Sequence, residues 1–386
     1  MEYNFNFCKW PISGDEEFKN LADVVKSGLW AGSQSQQLKD VRNNFLKLQK
    51  GQYGLPLANG TVTIEAALHA LNIGYNDEVI VPALTFYSTV SAVLRANANP
   101  VIVDVDQETF CISIKSIKAA ITDKTRAIIP VHLSGAMCDM DELKKIADEF
   151  NIKIIEDCAH AHGSEWQGEG AGTIGDFGSF SFQHSKLLSS GEGGFLIAKT
   201  QENEDHAWNY ANCGRISRTA VYEHSTIGTN NRMSSFQAAV LNAQIDRYAA
   251  QQDTRDCNAQ YIKSHLEDIH GIKIQKYDYR MTKRAYYNFT IIIDPLIYGK
   301  KKCSKVFDAL NDIGVPTALP YPPLNDLLVF QDYKSKKELS HIEVTIHDVS
   351  NAKYASQNSI CLHHRVLLSN KDSIDMLLEF LRKLLK

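Results

Sequence analysis

Two residues near the middle of the chain have the types and spacing of a buried acid paired with a reactive amine. Asp157 closes an apolar run, IKIIED (Ile152 to Asp157), and Lys186 follows the next one, GSFSF. A carboxylate at the end of a buried strand is poorly solvated and calls for a cationic partner. Taken alone, Asp157 is equally a cap for a following helix. Its chemical use would be to hold a cofactor's pyridinium nitrogen protonated, so that the ring takes up electrons. A lysine after a strand is ordinarily a surface residue. Lys186, however, is flanked by Ser181, Ser185, Ser189 and Ser190, with Leu187 and Leu188 beside it. Glycines at 175, 178, 191, 193 and 194 allow tight turns and close backbone approach. Partial burial would lower the lysine pKa and leave an amine able to form an imine. Together the two residues have the parts of a site for pyridoxal 5'-phosphate (PLP).

Such a site also needs a phosphate cradle and a ring contact. Asn59, Gly60 and Thr61 stand at the start of a helical pattern, where free N–H groups and the helix dipole favour an anion. In isolation this is also a plain N-cap turn. Phe86, in PALTFYST after a strand, is placed either to stack on a cofactor ring or to fill the core.

The elements that must position these residues read as an α/β chain. Glu78 to Leu84, Asn99 to Val105, Arg126 to Leu133 and Ile152 to Asp157 are continuous apolar runs, as strands covered on both faces should be. Helical patterns lie between them. Ile64 to Gly74 would end on a Gly74 C-cap, and Asp139 to Asn151 opens on an Asp N-cap. The alternation implies a mostly parallel sheet with helices on both faces, whose ligands bind outside the carboxyl ends of the strands. Two further strands, FGSFSF and Gly193 to Ala198, follow. A long helix, Ser234 to Leu266, then crosses from a large domain (1–255) to a smaller one (256–386). The smaller domain contains YYNFTIII, a helix near VFDALNDIG and a final helix DSIDMLLEFLRKLL.

Composition removes several other functions. The formal net charge is -4, and the closest candidate for a basic stripe, Gly299 to Cys303, reads as a solvated loop, so nucleic-acid binding is not expected. The eight cysteines form no C-x-x-C pair, which leaves no zinc ribbon and no expected metal. Several sit in apolar runs, as in a reducing compartment. The N-terminus lacks a basic region followed by an apolar one, and no run approaches membrane-spanning length. The expectation is a cytoplasmic protein.

The order of motifs then resembles a known family. N-G-T, P-A-x-T-F-x-S-T, V-D-V-D, P-V-H-L-x-G, E-D-x-A-H-A-x-G, G-D-x-G-x-F-S-F, S-K, G-E-G-G and G-x-N-x-R-M run in sequence between Trp10 and Leu368. They resemble the PLP-dependent sugar and cyclitol aminotransferases of the DegT/DnrJ family. The resemblance implies the aspartate-aminotransferase fold (fold type I), with a seven-stranded large sheet and a smaller C-terminal α+β domain. It also implies homodimers with active sites at the subunit interface. It makes Lys186 the Schiff-base lysine, Asp157 the pyridine-nitrogen partner and Phe86 the ring-stacking residue. His160 lies near the cofactor, and Gly60, Thr61 and Ser181 contact the phosphate. Asn230 reaches the phosphate from the neighbouring subunit. Trp30, Gly32 and Tyr321 fall where the family shapes its substrate pocket.

A finer resemblance, carried by HLSGAMCDMDEL, FQHSKLLSSGEGG and LHHRVLL, is to the 3-amino-5-hydroxybenzoate synthases and inosose aminotransferases. It places His363 and His364 in a substrate or interface cluster. Phe45-Leu46 and the approach QKGQYGLPLANGT depart from the family's usual pattern and bear on substrate rather than cofactor. The implied reaction is a ping-pong transfer from glutamate or glutamine to a ring ketone, through an aldimine on Lys186. The alternative chemistry is dehydration and aromatisation of an aminocyclohexenone. A non-catalytic PLP-binding regulator is the third reading, disfavoured because no room for a DNA-binding module precedes Trp10.

Overall fold

The computed structural model describes all residues except 1–4, 217, 219–221, 332, 337–338 and 386. In chain order the strands are β1 (Tyr53–Leu57), β2 (Glu78–Pro82), β3 (Asn99–Val103), β4 (Thr125–Ile128), β5 (Lys153–Asp157), β6 (Glu165–Trp166), β7 (Glu169–Gly170), β8 (Phe177–Ser181) and β9 (Gly194–Ala198). The last part of the chain adds β10 (Ile272–Ile274), β11 (Met281–Lys283), β12 (Asn288–Ile293), β13 (Thr317–Ala318), β14 (Thr345–Ile346) and β15 (Ser359–His363).

The large sheet has the order β1-β9-β8-β5-β4-β2-β3-β14. From β8 to β14 all neighbours are parallel, and β9 runs antiparallel to both β8 and β1. Alternate residues of one strand enter two different cores. Val79 and Val81 of β2 join one, and Ile80 joins the other. A sheet buried on both faces has this property, and it explains why its strands read as unbroken apolar runs. The resemblance implied seven strands. The eighth, β14, is a two-residue edge strand from the last third of the chain, too short to carry a strand pattern.

A second sheet, β10-β12-β15-β13, lies over a third core. The 32-residue helix Ser235–Leu266 joins the parts, as its length in the sequence implied. Ser234 and Gln237 form a capping box at its start. Its Ala238 and Leu241 pack into a core of the large sheet, and its Ala259, Ile262 and Leu266 into the core of the second.

The helix expected over Ile64 to Gly74 runs instead from Gly60 to Ala70. Asn59 Oδ1 accepts the N–H groups of Thr61 and Val62, so the helix starts at the Asn59–Gly60–Thr61 turn, before its apolar run begins. It ends before Asn72, whose φ is +56°. The Gly74 N–H goes to the Asp77 carboxylate at 2.9 Å, so Gly74 lies in the following loop and caps nothing. Among the described residues no helix is long and apolar enough to cross a membrane.

Candidate active site

A cavity of about 840 Å³ opens beyond the carboxyl ends of β2, β5 and β8. Gly60, Thr61, Phe86, Asp157, His160, Ser181, Lys186 and Tyr321 all line it. Its volume suits a cofactor together with a small substrate.

Asp157 is the last residue of β5 and is buried. Its Oδ2 accepts from Thr89 Oγ1 at 2.8 Å, and its Oδ1 from the Ala159 N–H at 3.2 Å. Burial pushes its pKa up, against the pull of these donors and of Lys186. Lys186 is buried as well, and burial lowers its pKa to about 8 while the Asp157 charge opposes the fall. Its Nζ lies 4.7 Å from the centroid of the Tyr287 ring. His160 stacks on Tyr287, with centroids 3.9 Å apart and planes at 14°. Burial, then the Lys186 charge, hold its pKa well below the ordinary range, so the ring is neutral. Nδ1 of His160 accepts the Ser134 N–H at 3.3 Å, which leaves the proton on Nε2.

The cradle sits at the N-terminus of the helix Gly60–Ala70. A Cβ on Gly60 would lie 2.7 Å from Ser181 Cβ, so only glycine lets the helix start approach the end of β8. The Thr61 and Ser88 hydroxyls are 2.7 Å apart, and both line the cavity. A helix terminus with clustered hydroxyls fits a phosphate. Phe86 is 56 % exposed at the mouth, 5.8 Å from the Tyr321 ring. An aromatic at this place gains by being covered.

Five sequence-derived residues lie elsewhere. Asn230 is exposed and outside this chain's cavity, in an isolated bridge with Asn212. Trp30 packs against Phe236 and is 54 % exposed, and Gly32 lies nearby at φ +90°. His363 lines a separate small pocket with Trp10, His184 and Arg365. His364 is fully buried behind the lysine, its Nε2 donating to the Ser185 carbonyl at 3.0 Å. Other lining residues escaped the sequence reading. Tyr287 carries no local signal, Ser88 lies in PALTFYST with no role assigned from it, and the cavity also takes in the close ion pair of Glu65 with Arg95.

His132, Glu156 and Cys158 also come together. The Glu156 carboxylate already accepts the N–H groups of Gly172, Ile174 and Gly175 and bonds His132 Nε2 at 2.9 Å. Nδ1 of His132 accepts the Cys138 N–H. These donors and acceptors are committed to holding the loop between β5 and β8.

A large mostly parallel sheet, with a buried lysine and carboxylate facing one cavity beyond its strand ends, defines a PLP-dependent enzyme of fold type I. The chain belongs to the DegT/DnrJ/EryC1/StrS aminotransferase family, which it matches over residues 11–380. It is 33% identical to the L-glutamine:scyllo-inosose aminotransferase of Streptomyces griseus, over 99% of this chain and 95% of that protein. It is 31% identical to the 3-amino-5-hydroxybenzoate synthase of Amycolatopsis mediterranei, over 95% and 94%. The crystal structure of a 3-amino-5-hydroxybenzoic acid synthase superposes with a TM-score of 0.89 at 30% identity, covering 98% of each chain. The protein is a PLP-dependent aminotransferase.

Proposed function

We propose that this aminotransferase moves the amino group of L-glutamine to a ring ketone of a cyclitol or sugar, with Lys186, Asp157 and His160 as its catalytic residues. One observation carries the reading. A buried amine with its pKa lowered to about 8 faces the same cavity as a buried carboxylate and a helix-terminal cradle. When bound, PLP supplies a ring that takes up electrons. Asp157 is the residue to hold its ring nitrogen, Phe86 to cover one face, and Gly60, Thr61 and Ser181 to hold its phosphate. Lys186 Nζ removes the proton from the amine-bearing carbon of the donor and delivers one to the acceptor carbon. A pKa near neutrality gives it both protonation states for these two tasks. Neutral His160 offers Nε2–H as a donor without adding a charge beside the lysine.

Relatives named for L-glutamine and an inosose support this donor and acceptor class. We assign Asn230, Trp30 and Gly32 to a site completed by a second copy of the chain. Asn230 lies outside this chain's own cavity, and Trp30 is exposed. Eight free cysteines suit the cytoplasm, where we place the enzyme.

The test is to incubate PLP-loaded protein with scyllo-inosose and either L-glutamine or L-glutamate, and to detect the aminocyclitol by mass spectrometry. Turnover with glutamine that vanishes in Lys186→Ala is expected. Retained turnover in that variant would refute the assignment. The structural likeness to 3-amino-5-hydroxybenzoic acid synthase favours a second reading, aromatisation. An ultraviolet aromatic band growing on an aminocyclohexenone carboxylate, with no aminocyclitol formed, would select it.

A further inference from the structure

Tyr287 stands just before β12, about a hundred residues after Lys186, and belongs to the part of the chain that builds the second sheet. The preceding residue, Tyr286, is buried at φ +51°, a backbone region a bulky side chain seldom adopts. This turn separates the two side chains. Tyr286 enters the core of the second sheet, and Tyr287 enters a core of the large sheet and the wall of the cavity. Strain of this kind persists where surrounding structure enforces it, and it marks functional positions.

Tyr287 meets the lysine segment in two ways. Its ring face lies under Lys186 Nζ, 4.7 Å from the centroid, with His160 stacked at 3.9 Å. Its hydroxyl is 3.0 Å from Ser185 Oγ. The Ser185 hydroxyl donates to Gln183 Oε1 at 2.8 Å, so the Tyr287 hydroxyl is the donor to Ser185. The Lys186 N–H in turn bonds the Gln183 carbonyl at 2.9 Å. Tyr287, Ser185 and Gln183 therefore fix one turn, and that turn carries the reactive amine.

We propose that Tyr287 is a positioning residue for the lysine amine: its ring face stabilises the ammonium that exists between proton transfers, and its hydroxyl fixes the Gln183–Lys186 turn. The cavity presents few other charges to that ammonium. Asp157 attracts it, His160 is neutral, Tyr321 is a half-buried phenol with its pKa raised by desolvation, and Glu192 and the Glu65–Arg95 pair complete the titratable lining. An aromatic face in a desolvated site favours a cation. The ring thus works against the desolvation that Lys186 suffers, and keeps the amine able to accept a proton as well as to give one.

The two parts separate by substitution. Tyr287→Phe keeps the ring and loses the hydroxyl, and Tyr287→Leu loses both. The proposal rests on Lys186 being the reactive amine, so it is read first in cofactor-free protein. Competitive acetylation of Lys186, followed by peptide mass spectrometry from neutral to alkaline pH, reports the titration of that amine whatever the enzyme turns over. Wild type and Tyr287→Phe should titrate together, and Tyr287→Leu about one pKa unit lower. Coincidence of Tyr287→Leu with wild type, or of Tyr287→Phe with Tyr287→Leu, would overturn the role of the ring.

The hydroxyl is tested by turnover. Tyr287→Phe and Ser185→Ala should each lower kcat about 3- to 10-fold with KM for glutamine little changed, and the double variant no further. Additive losses would overturn the role of the turn. Should Tyr287→Leu not fold, Tyr287→Met replaces it in the labelling experiment, and the Tyr287→Phe and Ser185→Ala cycle still decides the second part.

Discussion

Thr89→Val removes the hydroxyl donor on which the Asp157 assignment depends. Thr89 is wholly buried in the helix Ser88–Arg95, and its Oγ1 donates to Asp157 Oδ2 at 2.8 Å. Because that proton is committed, Thr85 Oγ1, 2.9 Å away, donates to Thr89. The chain of hydroxyls ends on the carboxylate and favours its ionised form. Valine has nearly the same shape, so no cavity opens, and the change removes the hydroxyl from Asp157 and the acceptor from the buried Thr85 hydroxyl. A hydrogen bond to a charged group is worth about 1.5–3 kcal/mol, which is about one to two pKa units. Burial already raises the Asp157 pKa, and losing the donor raises it further. The sign matters, because a pyridinium nitrogen keeps its proton only beside an ionised carboxylate. PLP affinity should therefore fall about 10- to 100-fold. Turnover at saturating PLP should fall as well, and the cofactor-free fold should survive. Absorbance titration of cofactor-free protein with PLP measures the first, and circular dichroism melting checks the last. PLP affinity within about twofold of wild type would refute the reasoning. Asp157 would then not be the ring-nitrogen partner, or would not depend on Thr89.

Other expectations test the cradle and the amine. Gly60→Ala should weaken PLP binding more than it lowers the melting temperature. Its Cβ would meet Ser181 Cβ at 2.7 Å and push apart the two residues proposed to hold the phosphate, at a cost of about 1–3 kcal/mol. The rate of covalent PLP attachment should rise with pH through about 8, where Lys186 loses its proton, and stopped-flow absorbance would show it. An inflection near the pKa of an exposed lysine, about 10.4, would mean the burial of Lys186 has no chemical effect. Lys186→Ala should lose turnover by at least about 100-fold and regain part of it with added small primary amines, since the missing function is proton transfer. Absence of both effects would move the role to another residue.

The residues proposed to hold the cofactor are legible in the sequence because their signals are local. Lys186, Asp157 and the Asn59–Gly60–Thr61 turn each lie at a strand end or helix start that the apolar runs reveal, and the sheet brings all of them to one cavity. The helix that starts at this turn ends at Ala70 and not at Gly74, because the Asn72 and Ile73 N–H groups bond back to His69 and Leu68 as Asn72 turns to φ +56°. That choice is made by hydrogen bonding and not by hydrophobic period. Thr89, though it closes the PALTFYST motif, and Tyr287 carry no sign of their roles in the sequence. Thr89 lies one residue after Ser88 on the same helix, and only the parallel pairing of strands brings it against Asp157. Tyr287 is ordinary in sequence, and a positive φ at Tyr286 turns it from one core toward another. His364 shows the converse. Its motif points to a substrate or interface cluster, and the structure puts its Nε2 on the Ser185 carbonyl, behind the lysine. The strand-end and helix-start residues that line the cavity can be read along one strand at a time. Residues that set the protonation and position of those groups arrive from distant segments, and the packing of the second sheet decides where they land.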